Sequence, residues 1–164
     1  MALAGSTLLQ GKNKSCSNPG AGRSDLTGKA CSPTFVHYTY DTYALSNVAG
    51  KAMVQRGEDT WFFITADYAF GAALERDAAD VVKASGGKVL GDVRPPPNTS
   101  DFSSSLPPPQ ASTAKVVGPA IAGGATDEPL QQADGVGLPE RAQTRNHFLA
   151  KIQQSFGSST SVRA

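Results

Sequence analysis

The sequence predicts an α/β fold, a partial parallel sheet with flanking helices and disordered ends. Three observations carry that expectation. Thr60-Trp-Phe-Phe-Ile-Thr65 is a short run of aromatic and β-branched residues, the composition of a strand buried on both faces. Lys88-Val-Leu-Gly-Asp-Val93 is a second such run. Between them lies a segment with apolar residues at helical spacing. Strand, helix, strand at this separation is a βαβ unit, which builds parallel sheets with right-handed crossovers.

The elements follow in chain order. Residues 1–36 are rich in Gly, Ser, Asn and Pro and carry few periodic apolar positions, so loop and weak order are expected there. A helix is expected over 41–56, where Leu45, Val48, Ala49, Ala52 and Met53 fall on one stripe. Asp41 suits its N-cap and Gly57 its end. After the strand at 60–65, a second helix is expected from about Phe70 to Ser85. It buries Leu74, Ala78, Val81 and Val82, and Gly86-Gly87 closes it. A third strand is expected at Lys115-Val-Val-Gly118, running toward Ile121, and a short helix over Thr126–Ala133.

Two proline triplets, Pro95–Pro97 and Pro107–Pro109, interrupt the second half. The second stops a helix capped by Asp101 after barely a turn, because proline lacks the N–H and clashes with the turn before it. Phe148, Leu149, Ile152 and Phe156 recur at helical spacing in the tail. The organisation read from these shifts is 1–19 poorly ordered, 20–137 an α/β region, and 138–164 a tail with an amphipathic stretch.

Composition narrows the function. The 164 residues suit one domain of ordinary size. Lys and Arg number 15 against 14 for Asp and Glu, which provides no basic excess for a nucleic-acid footprint. No run approaches the roughly 18 apolar residues of a membrane span. The opening ten residues lack the basic start and continuous apolar run of an export signal, so the chain as written would stay in the cytoplasm. Two cysteines, Cys16 and Cys31, are too few for a disulfide scaffold or a four-ligand zinc site.

Signatures of catalysis are missing as well. The chain has no phosphate-binding G-x-x-x-x-G-K-[ST], no dinucleotide fingerprint after a strand, and no G-x-S-x-G elbow. His37 and His147 are too far apart in sequence to show metal-ligand spacing, and Cys31 with His37 lacks the surroundings of a cysteine enzyme. No cofactor and no catalytic group are expected.

Ligands of parallel α/β sheets bind at the carboxyl ends of the strands. Here those ends are Thr65–Gly71, Arg94 with the first proline run, and Ala120–Thr126. The first leads into a helix N-terminus, where backbone N–H groups favour a carboxylate. Tyr68 and Phe70 offer apolar faces beside it. Asp67 also suits a plain helix cap, and Phe70 a plain core position.

Six blocks resemble the type I periplasmic binding proteins, and among them the leucine/branched-chain amino-acid binding group of ABC transporters. They are Gly20–Pro33, Tyr40–Leu45, Trp61–Gly71, Gly86–Gly91, Asn98–Ser104 and Ala122–Gly124, in the family's order and spacing. The resemblance covers about residues 20–135 and implies a truncated middle fragment of a two-lobed receptor. Each lobe of such a receptor is a parallel α/β layer, and a small ligand sits in the cleft between them.

Carried over by position, Gly20, Ala21, Gly22 and Ser24 resemble the first-lobe turn that meets the ligand's carboxylate. Tyr68 and Phe70 fall where the second lobe offers an aromatic to the ligand, and Gly123 and Gly124 lie on the next second-lobe loop; the helix N-terminus after Asp67 is expected to meet the ligand's polar end. The resemblance further implies an amino acid or small carboxylate as ligand, ABC transporter membrane subunits as partners, no enzyme activity, and a periplasmic location. The chain departs from the family at four places. A polar stretch, Lys12–Asn18, stands where an apolar strand is expected, Arg23 intrudes among small residues, Pro107–Pro109 interrupt a helix, and Pro119, Ile121 and Ala125 interrupt a loop that is usually more polar. A ligand-sensing module of a signalling receptor, and a remnant without binding function, are the alternative readings.

Overall fold

The structure is a computed structural model of the chain, and it describes residues 2–95 and 112–121. Its elements are α1 (Ala2–Gly11), β1 (Cys16–Asn18), β2 (Phe35–His37), α2 (Thr42–Gln55), β3 (Thr60–Thr65), α3 (Ala69–Ala84), β4 (Lys88–Val93) and β5 (Val116–Ala120). A short 3-10 turn spans Ser24–Leu26. The strands form two parallel sheets, β1-β2 and β4-β3-β5.

The larger sheet is built around the most apolar strand. Trp61 to Thr65 are all buried, because β3 has a strand on each side and helices on one face. Trp61 and Phe63 point to the helical face, where they join Met53 of α2, Ala78 and Val82 of α3, and Val116 of β5. The Trp61 indole N–H donates to the Glu58 carbonyl at 2.8 Å, so the ring is buried without an orphaned donor. Ile64 packs with Val117 and Ile121 in a separate cluster, as strand alternation requires.

The central βαβ unit matches the sequence expectation. β3 and β4 have the expected bounds, and α3 buries Leu74, Ala78, Val81 and Val82. Gly86 has φ of +90°, the left-handed C-terminal stop that glycine supplies. Asp41 caps α2, its carboxylate accepting from the Ala44 N–H at 2.8 Å, and Gly57 follows that helix at φ +85°.

The buried stripe of α2 differs from the expected one. Val48 and Ala52 are exposed, and the face toward the core is Thr42, Leu45, Ser46, Ala49, Gly50 and Met53. The cause is close packing on α3. A Cβ on Gly50 would meet Val81 at 3.3 Å, so the helices approach through that glycine and turn Val48 outward. The two hydroxyls this buries are satisfied: Ser46 donates to the Thr42 carbonyl at 2.7 Å, and Thr42 donates to Asp77 at 2.5 Å.

Residues 1–36 also differ from the loop expected there, since they hold α1, β1 and the start of β2. The polar Cys16-Ser-Asn18 forms a strand after all, pairing with Phe35-Val-His37. The proline triplet at 107–109, Asn98–Ser104, the helix expected at 126–133, His147 and the tail from 138 lie outside the described residues. Among the described residues, no helix is long and apolar enough to cross a membrane.

Candidate functional site

The candidate site is built at the turn after β1, where the smaller sheet meets the starts of α2 and α3. Asn18 ends β1, and its side-chain oxygen accepts from the Gly20 and Ala21 N–H groups, both at 3.0 Å. His37, at the end of β2, reaches across so that Nε2 lies 2.5 Å from the Ala21 carbonyl. These contacts fix the Gly20–Ser24 turn on the smaller sheet. From the other side, Thr42 at the start of α2 donates its N–H to the Gly22 carbonyl at 2.8 Å. Its hydroxyl accepts from the Ser24 N–H at 3.1 Å.

Gly22 is buried against two aromatic rings. A Cβ there would lie 3.1 Å from Phe70 and 3.1 Å from Tyr40, so any larger residue would push the rings aside. Tyr40 and Phe70 also pack on the cluster of Leu45, Leu74 and Ala120. Phe70 is therefore half-buried, packed on the core with its ring against Gly22. Tyr68 lies near-parallel to Phe70, with ring centroids 6.4 Å apart, and is 44% exposed. The rings step outward from the core to solvent beside the first turn of α3.

The turn into α3 is tight because Gly71 lets the helix approach the strand ends. A Cβ on Gly71 would stand 2.4 Å from the Ala66 carbonyl oxygen and 2.8 Å from that of Ala120. Asp67 does not cap this helix. Tyr68 occupies the N-cap position and makes no side-chain cap, while Asp67 is exposed one residue earlier. Glu75, whose carboxylate lies 3.1 Å away, and then the Asp92 hydrogen bond raise the pKa of the exposed Arg94 guanidinium, with Asp67 a smaller contributor.

The expected ligand groups thus divide. The amides of Gly20, Ala21 and Ser24 are already bonded within the protein. The Ser24 hydroxyl accepts from Arg76 at 3.0 Å. Among the described residues, the Gly22 and Arg23 N–H groups carry no such bond. Gly123 and Gly124 lie outside the described residues.

Reading the sequence missed a polar group behind the turn. Asp25 is buried and pairs with Arg23, with Lys29 at 3.3 Å and with Arg76 at 3.4 Å. Burial opposes its charge, but Lys29, Arg76 and Arg23 together outweigh burial and hold the carboxyl below the ordinary carboxylate range. The pairing also accounts for Arg23 among small residues. Asp77, buried on α3, completes the group through Arg76 and Thr42. Its local sequence, Glu75-Arg-Asp-Ala-Ala-Asp80, mixes charged and small residues and carries no mark of a buried carboxylate. No cluster of acidic, histidine or cysteine side chains suited to a metal occurs among the described residues.

Comparison with known proteins places the fold. The family model described as periplasmic binding protein matches residues 1–155. A periplasmic binding protein from Burkholderia mallei is 47% identical, with TM-score 0.80, over 90% of this chain and 42% of its own. A branched-chain amino acid ABC transporter periplasmic ligand-binding protein from Burkholderia xenovorans is 30% identical, with TM-score 0.74, over 87% of this chain and 38% of its own. An ABC transporter solute-binding protein from R. palustris, solved with 4-hydroxybenzoate, is 25% identical with TM-score 0.74, over 86% and 38% of the two chains. A search of curated proteins finds no match. The chain therefore spans less than half the length of these solved proteins. With a family model matched over most of its length and the parallel α/β layers to go with it, the chain belongs to the periplasmic binding proteins.

Proposed function

We propose that this chain forms part of the ligand site of an ABC transporter's substrate-binding component, acting on branched-chain amino acids or related small carboxylates. The observation that carries this reading is the meeting of the Gly20–Ser24 turn with Tyr40, Phe70 and Tyr68 beside the first turn of α3. The rings offer an apolar wall to a side chain. The unengaged N–H groups of Gly22 and Arg23, with the helix N-terminus beyond Asp67, suit the carboxylate end. By the resemblance, Gly123 and Gly124 add a further loop. Binding here makes and breaks no bond; hinge closure around the ligand is its mechanism. Periplasmic location and docking on transporter membrane subunits follow from the family.

The stacked pair Tyr68 and Phe70 favours a second ligand class, aromatic carboxylates, on the same wall. One experiment separates them: a thermal melt with leucine, isoleucine, valine, benzoate and 4-hydroxybenzoate. A ligand at 100 times its Kd raises stability by about 2.7 kcal/mol. The shift is expected with one class and is expected to vanish in Phe70→Ala. A cooperative melt that none of the five moves would refute the reading.

A further inference from the structure

The polar group behind the turn forms a closed ring. The Ser24 N–H donates to the Thr42 hydroxyl at 3.1 Å, and that hydroxyl donates to Asp77 Oδ2 at 2.5 Å. Asp77 Oδ1 accepts from Arg76 Nε at 3.0 Å and Nη2 at 2.9 Å. Arg76 Nη2 returns to the Ser24 hydroxyl at 3.0 Å, and Nη1 lies 3.4 Å from Asp25. Ser24 and Asp25 belong to the turn fixed on the β1-β2 sheet. Thr42, Arg76 and Asp77 belong to the helices packed on the β4-β3-β5 sheet.

Among the described residues, the chain passes between the sheets once, through residues 38–41 between β2 and α2. The Thr42 N–H on the Gly22 carbonyl and the packing of Gly22 on Tyr40 and Phe70 already join the two parts, and the ring adds the side-chain tie that fixes their mutual orientation. We propose that Arg76 is an inter-sheet latch. Its forked guanidinium bonds both sides at once, so the ring closes in this mutual orientation and breaks when the sheets rotate apart. Arg76 is the exchangeable part. Asp25 and Asp77 are buried, but Arg76 is 43% exposed, so water can take over its bonds when the latch opens. The latch rests on the binding reading only in its consequence, because it would set which orientation a ligand meets.

The test needs no ligand. Spin labels are placed on Cys31, which is exposed, and on position 83 in a Cys16→Ser, Lys83→Cys chain, and the distance distribution between them is recorded. With Arg76 present at low salt, one population is expected. Arg76→Gln is expected to add a second, and Arg76→Lys, which keeps the charge without the fork, to fall between the two. An unchanged distribution in Arg76→Gln, with an unchanged far-UV circular dichroism spectrum, would overturn the latch. Should Arg76→Gln fail to fold, a salt series on the Arg76 chain decides. Around 1 M salt, where screening acts within about 3 Å, the second population is expected to appear, and an unchanged distribution would overturn the latch.

Discussion

Gly71→Ala adds one methyl group where the structure has no space for it. The new carbon would stand 2.4 Å from the Ala66 oxygen and 2.8 Å from the Ala120 oxygen. Both contacts are backbone, so no side chain can swing away. The same oxygens are already in use. Ala66 O accepts from the Tyr68 N–H at 2.8 Å, and Ala120 O accepts from the Ala66 N–H at 3.2 Å. Relief must therefore come from moving α3 off the ends of β3 and β5. Overpacking of this kind costs about 1–3 kcal/mol, and backbone contacts put it near the top of that range. The better helix propensity of alanine returns up to about 1 kcal/mol, which leaves a net loss of about 2 kcal/mol.

At about 4 °C per kcal/mol, Tm should fall by about 8 °C. The assay is a thermal melt followed by circular dichroism, with Gly5→Ala as control. Gly5 lies inside α1 with nothing within 4 Å of its added carbon, so that change should stabilise by about 0.5–1 kcal/mol. A Gly71→Ala chain that melts at or above the parent temperature would refute the close approach of α3 to the strand ends.

Three further outcomes are expected. Among the described residues the buried Thr65 hydroxyl has no hydrogen-bond partner, so Thr65→Val should raise stability by about 1 kcal/mol in a urea titration; a loss would show that the hydroxyl has a partner. Asp41→Ala removes the α2 cap and the acceptor of the Thr27 hydroxyl at 3.0 Å, and should cost about 1 kcal/mol by the same titration. The Asp25 carboxyl is held below its ordinary value of 3.8, so its ionised form adds stability above that pH and loses it as pH falls through the lower folded value. The stability gap between the parent and Asp25→Asn should accordingly be widest near neutral pH and close on acidification, and a gap that widens instead would reverse the assignment.

The elements that read clearly in the sequence carry their own signal. Thr60–Thr65 is apolar enough to declare a central strand, and Gly86-Gly87 marks the end of α3 whatever surrounds it. The β1-β2 pair does not declare itself, because Cys16-Ser-Asn18 is short and polar and becomes a strand only against Phe35–His37. The buried face of α2 is not legible in its sequence, because Gly50, a weak helix former by itself, decides the packing against Val81. In the candidate site, the aromatic wall of Tyr68 and Phe70 is readable from its place after a strand. The ring through Ser24, Thr42, Arg76 and Asp77 is not, since its bonded members are up to 52 residues apart and are joined only by the fold.

The strand order β4-β3-β5 also has a consequence during synthesis. Trp61 pairs with Val89 on one side and with Val116 on the other, so the two edges of β3 are completed at different times. The near partner emerges from the ribosome first and closes a local βαβ unit. Until the far partner follows, the most apolar strand of the chain has one open edge, a template for pairing with another nascent copy. Slow translation between Val93 and Val116 would lengthen that window, so yield of folded protein should depend on elongation rate there more than on any contact in the finished molecule.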